Sequence, residues 1–159
     1  MKIRFPVLLL AASLSACSSV YVPKVVKVPV DTGVPVVPSV AFRLADSHWV
    51  DVSKIRDEAM RLSYQVSEGK ITKVQAAQYL NRFRVNLVGN NQIDDDMYEV
   101  YLRSAVDSQR GAITTEQSKQ FIENALRGWQ LRWSYMKNKP ANPAFTNFLM
   151  EHMKLQPLQ

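Results

Sequence analysis

Residues 69–75 read GKITKVQ and residues 111–117 read GAITTEQ, so the phrase Gly-x-Ile-Thr-x-x-Gln occurs twice, 42 positions apart. In each copy a threonine stands three residues before a glutamine, Thr72 before Gln75 and Thr114 before Gln117. That spacing is a capping box, in which the hydroxyl and the glutamine side chain satisfy two of the amides that a helix start leaves bare. The glycine three places upstream, Gly69 or Gly111, fits the left-handed position that closes a preceding helix. Ahead of the first phrase, Val52, Ile55, Ala59, Leu62 and Val66 keep three-four spacing and mark one apolar stripe. Behind the phrases come Tyr79, Leu80, Phe83 and Leu87 in one copy, and Phe121, Ile122, Ala125 and Trp129 in the other. Each copy therefore reads helix, tight turn, helix, and two such hairpins hide each other's apolar faces.

The phrase also resembles the second half of an EF-hand calcium loop, with glutamine where that family closes on glutamate. The resemblance implies oxygen ligands five, three and one residues before the glycine. Those positions hold Tyr64, Val66 and Glu68 in the first copy and Val106, Ser108 and Arg110 in the second. Neither row supplies the oxygen shell that a hard cation needs, so no metal or other cofactor is expected. A second resemblance, to short helical modules that read Gly-x-Ile-Thr-x-x-Glu, is one of capping grammar and implies no activity. The expectation is an all-α fold, a small bundle of about five helices built from two helix-turn-helix repeats, about 54–88 and 96–130. A last amphipathic helix, about 143–154, follows the break at Pro140 and Pro143; Phe145, Phe148, Leu149 and His152 give it an apolar side that caps the bundle or docks on a partner.

Between the repeats, VGNNQIDDD (88–96) closes one helix at Gly89-Asn90 and opens the next with three aspartates. Acidic residues at a helix start complement its dipole. As metal ligands Asp94, Asp95 and Asp96 are poorly placed, because successive helical side chains diverge by about 100°.

The segment RGWQLRWSYMKNK (127–139) sets aromatic rings among basic groups. As a surface it would stack sugars, meet lipid headgroups or anchor a protein interface, with Trp129, Arg132 and Trp133 as the partner-binding candidates. As a helix of a small domain it would instead turn Trp129, Trp133 and Met136 into the core, with the arginines snorkelling around them. Gly128 costs such a helix about 1 kcal/mol against alanine, which predicts close approach of another helix there.

The N-terminus carries Lys2 and Arg4, then an apolar run from Phe5 to Leu14 too short to span a bilayer as a mature helix. Leu14-Ser15-Ala16-Cys17 resembles the lipobox of bacterial lipoproteins. The resemblance implies cleavage before Cys17, acylation of that cysteine and, with Ser18 rather than Asp next to it, a lipid-anchored protein of the outer membrane facing the periplasm. More than one acyl chain on one residue gives a durable anchor, since each buried methylene contributes about 0.8 kcal/mol. Cys17 is the chain's single cysteine, so the mature domain is left with no thiol for a disulfide, a metal or a nucleophile.

Residues 17–45 hold the lipidated cysteine and a tether in which valine alternates with proline. Proline fixes φ and lacks an amide hydrogen, so the stretch is extended, and at about 3.1 Å per residue it reaches roughly 85 Å. Within VPKVVKVPV, Val25, Val26, Val28 and Val30 are candidate partner-binding residues, lying as a strand along another protein; otherwise the stretch is a stiff spacer folded back on its own domain. Its composition resembles the proline-rich lipoproteins of phage lysis systems and type IV secretion channels.

Residues 46–159 are read as the folded domain. With 47% hydrophobic and 21% charged residues overall, the chain carries enough apolar material for one core. Loss of Lys2 and Arg4 with the leader lowers the formal charge from +6 to +4, a mild excess that suits anionic lipid, glycan or an acidic protein and argues against nucleic acid. HExxH, GxSxG and glycine-rich phosphate loops are all missing from the sequence. Glu58, Glu68, Glu99, Glu116 and Glu123 read as solvated helix faces, which leaves a peptidoglycan hydrolase as the minor alternative. The expected function is non-catalytic: a membrane-anchored helical adaptor or accessory subunit of an envelope assembly for secretion, conjugation or outer-membrane biogenesis. The alternative is a peptidoglycan- or lipid-binding envelope protein.

Overall fold

A computed structural model describes residues 41–159; Cys17 and the valines of the tether lie outside the described residues. Five helices follow in order: α1 His48–Ser67, α2 Lys73–Val88, α3 Gln92–Gln109, α4 Thr115–Trp133 and α5 Ala144–His152. The chain is all-α over this range, as the two-hairpin pattern implies.

Both repeated phrases do the same structural work. Thr72 accepts from the Gln75 amide at 3.1 Å while Gln75 Oε1 accepts from the Thr72 amide at 2.9 Å. Thr114 and Gln117 repeat the pair at 3.1 and 2.9 Å. Gly69 and Gly111 have φ of 69° and 75°. At the first turn the amides of Lys70 and Gly69 reach back to the carbonyls of Gln65 and Val66; at the second, Ala112 and Gly111 reach Asp107 and Ser108. This is the Schellman closure, in which the left-handed residue lets two terminal carbonyls be satisfied at once. The same closure ends α5, where Lys154 takes the left-handed place with φ 58°.

The helices form an open arc in chain order. α1 packs on α2, α2 on α3 and α3 on α4, while no Cα of α1 comes within 8 Å of one in α4. α5 lies inside the concave side and touches all four. Seven consecutive residues, Ala144 to Met150, are buried, so this short helix is enclosed on every side. It is neither an outer cap nor a free docking helix, as its apparent amphipathicity had implied. The polar residues Thr146 and Asn147 go inward because each finds a partner there.

One partner is Asp94, fully buried near the start of α3. Its carboxylate accepts from the Phe145 amide at 3.2 Å, and from the amide and hydroxyl of Thr146 at 2.8 and 2.7 Å. Pro143 occupies the N-cap of α5 and makes no side-chain capping bond, so α3 supplies the cap from across the core. Asp95 instead pairs with Arg84, which is 1% exposed and also donates to Asn81 Oδ1 and the Gly89 carbonyl. Asp96 is exposed. Three consecutive aspartates thus go three ways, as helical geometry requires.

A second polar cluster fixes the chain's last residues. Asn147 donates to the Leu158 carbonyl at 2.9 Å and accepts from its amide at 2.7 Å, which sets the orientation of the Asn147 side chain. The Asn147 amide group therefore donates to His48 Nε2 at 2.8 Å, leaving the proton on Nδ1 to reach Asn142 Oδ1 at 2.7 Å. Asn142 in turn donates to Asp51 at 2.9 Å. The start of α1, the loop before α5, α5 itself and the C-terminal tail are joined by one satisfied network.

Candidate functional site

The aromatic-basic segment is mostly core. Trp129 and Trp133 are 6% and 5% exposed, on the inward stripe of α4 with Ile122 and Leu126. Trp133 Nε1 donates to the Gln159 carbonyl at 3.0 Å, and its ring makes a T-shaped pair with Phe42, centroids 5.2 Å apart. The Arg132 guanidinium lies 4.0 Å from the centre of the Trp129 ring. Both indoles proposed for sugar or partner contact are therefore buried, with Lys139 over the Trp133 ring and Arg132 over the Trp129 ring, and only Arg132 of the three candidates is exposed. Gly128 does not receive a neighbouring helix either: a Cβ there would meet only the Arg132 side chain, at 3.9 Å. The helix bears a glycine that no intramolecular contact demands.

Four of the five carboxylates named as candidate acids form ion pairs with residues close in sequence, and Glu99 is exposed on α3. Glu58 receives Arg61, Glu116 receives Lys119 and Glu123 receives Arg127, each within one turn of the same helix. Lys70 and the Tyr64 hydroxyl hold the Glu68 carboxyl below its ordinary range.

The feature that sequence reading missed is a trough. α1, α3 and α4 are 20, 18 and 19 residues long, but α5 has only nine. It fills the half of the arc near the starts of α1 and α3, where His48 and Asp94 bind it, and reaches along α1 to Arg56, which pairs with Glu151 at 2.5 Å. Beyond that point, towards the two hairpin turns, the concave side is open as a cavity of about 280 Å³. Leu62, Leu80 and Ile122 line it together with the alanines 59, 76 and 105. Hydroxyls of Ser63, Ser108, Thr115 and Ser118 also line it, and Lys73 Nζ donates to Ser108 Oγ at 3.0 Å. Tyr101 marks the boundary, since it lines the open half and meets Phe145 of α5 edge-on at 5.8 Å. Burial raises its phenol above the ordinary range.

The trough has a signal in the sequence after all. Along α4 the inward stripe runs Trp133, Trp129, Leu126, Ile122 and then Ser118 and Thr115, from large to small towards the hairpin turn. α3 does the same from Tyr101 to Ala105 and Ser108. A stripe that shrinks along its length leaves space at its narrow end.

The two turns are pinned to each other at this end. The Val74 amide donates to Gln109 Oε1 at 3.1 Å, beside the Lys73–Ser108 bond, so the start of α2 is held against the end of α3. The floor of the trough is built, not left to packing alone. Comparison with protein-family models, with curated proteins and with solved structures finds no match for this chain.

Proposed function

We propose that the protein is a membrane-anchored lipoprotein that serves as a non-catalytic helical adaptor in a cell-envelope assembly, facing the periplasm from the outer membrane. The observation that carries the adaptor reading is the trough, a preformed concave surface walled by four helices and kept in shape by buried, fully paired polar groups. The anchor reading rests on Leu14-Ser15-Ala16-Cys17. In this reading lipid on Cys17 supplies the bilayer contact, and no helix among the described residues is long and apolar enough to cross a membrane. The tether then lets the domain reach a partner at a distance. The glycan-binding alternative loses its main support, because it called for exposed faces on Trp129 and Trp133.

Three measurements test this. Mass spectrometry of the mature chain is expected to find acyl groups on Cys17, and an unmodified thiol there defeats the anchor. Crosslinking in intact cells is expected to join the domain to one envelope protein. Clearing of a peptidoglycan zymogram by the purified chain would overturn the non-catalytic reading.

A further inference from the structure

The two most exposed large apolar side chains among the described residues stand together where α4 ends. Leu131 is 75% exposed and Tyr135 88%, four residues apart on the last turn of α4 and the turn that continues it. The charge around them has one sign. Residues 124–150 contain Arg127, Arg132, Lys137 and Lys139 and no aspartate or glutamate. Arg127 is paired with Glu123, but no carboxylate among the described residues pairs with Arg132, Lys137 or Lys139. Arg132 lies instead over the Trp129 ring, and Lys139 over the rings of Phe42 and Trp133. The other end of the bundle differs, for near the hairpin turns Lys70, Arg110 and Lys119 each meet a carboxylate.

We propose that this end of the domain docks on an anionic lipid surface, that of the bilayer to which the tether ties it. This rests on the anchor reading and adds a second contact to it. The tether joins the domain at this place, because Phe42, the second described residue, packs on the Trp133 ring beside Lys139. Cations without acidic partners suit phosphate headgroups, and each one close to an anionic leaflet strengthens attachment about fivefold. A tyrosine and a leucine set among them suit the headgroup boundary, where the ring is half dry and its hydroxyl stays in water. Asp46, which shares a depression with Phe42, does not oppose this, since Arg43 holds it. So small a patch binds weakly by itself. Kept within roughly 85 Å of the bilayer by the tether, it needs little intrinsic affinity. A lipid anchor plus a basic patch is a two-signal attachment. An acidic protein offers the same charge, but only the bilayer is already joined to this end of the domain. Ser118 in the trough lies roughly 20 Å along α4 from Leu131, so docking leaves the trough open.

The test reconstitutes the mature chain, purified with its lipid, into vesicles that carry an acceptor dye on a headgroup. A donor dye goes on one introduced cysteine, either Ser134→Cys beside the patch or Ala112→Cys at the second hairpin turn, both at exposed positions. With about 30% phosphatidylglycerol in phosphatidylcholine, energy transfer from position 134 should exceed that from position 112 at least twofold. The excess should vanish in phosphatidylcholine alone and at about 1 M salt, where the Debye length is near 3 Å. Lys137→Glu, a change of two charges, should lower the ratio of docked to free domain roughly twentyfold. Leu131→Ser with Tyr135→Ser should lower it with the charge unchanged, and all three side chains are exposed, so the fold survives. Equal transfer from both positions, an excess that needs no phosphatidylglycerol, or variants that dock like the parent overturns the proposal and leaves the anchor standing. A chain that does not stay with the vesicles sinks the anchor as well. A photo-crosslinking residue at Tyr135 in intact cells should yield lipid adducts; protein adducts alone would give this end to a protein and refute the lipid contact.

Discussion

Replacement of Asp94 by alanine tests the packing logic of the fold most directly. The carboxylate accepts from two α5 amides, the Thr146 hydroxyl and Asn91 Nδ2 at 3.0 Å, with no solvent contact. Alanine leaves the amides of Phe145 and Thr146 without acceptors, at about 1–3 kcal/mol each. The hydroxyl can rotate, and Asn91 retains a contact with the Asn142 carbonyl at 3.4 Å, so these add little. Removing a buried carboxylate also relieves its desolvation, which offsets part of the loss. The net expectation is a destabilisation of about 3 kcal/mol, a large share of the 5–15 kcal/mol typical of a domain. With a urea m-value of about 2 kcal/mol/M, the midpoint in circular dichroism should fall by roughly 1.5 M. Asp94→Asn, which keeps one acceptor oxygen, should lie between, and exposed Asp96→Ala should stay within about 0.5 kcal/mol of the parent. An Asp94→Ala protein within 1 kcal/mol of the parent would refute the idea that α3 caps α5.

Burial raises the Asp94 carboxyl above the ordinary carboxylate range, against the pull of its donors. The native state then holds that proton more tightly than the unfolded chain, so Asp94's share of stability falls as pH rises from about 4 to its raised value and is level above. The difference in urea midpoint between parent and Asp94→Ala across that window should show this slope; a flat difference contradicts it. Lys154→Gly should stabilise by about 0.5–1 kcal/mol in thermal unfolding, because glycine takes the left-handed φ of 58° without the Cβ penalty. Gly128→Ala should add about 1 kcal/mol, since the new methyl meets nothing closer than 3.9 Å. A loss of stability there would mean that the helix needs its glycine for a reason internal to the fold.

Local rules written in the sequence decided the elements of this protein. Capping boxes at Thr72 and Thr114, left-handed glycines at 69 and 111 and three-four apolar spacing act over a single turn of chain, so they are legible without knowing any distant neighbour. Long-range contact decided the rest. Nothing near α5 in the sequence announces that a carboxylate 51 residues upstream will cap it, or that His48 will hold Asn147 from 99 residues away. The same ignorance left Trp129 and Trp133 undecided between surface and core, because a helix stripe shows which side is apolar but not what covers it. The trough belongs to tertiary structure for the same reason: its lining comes from α1, α2, α3 and α4 together, and the small residues near the hairpin turns become open space only when those helices pack side by side.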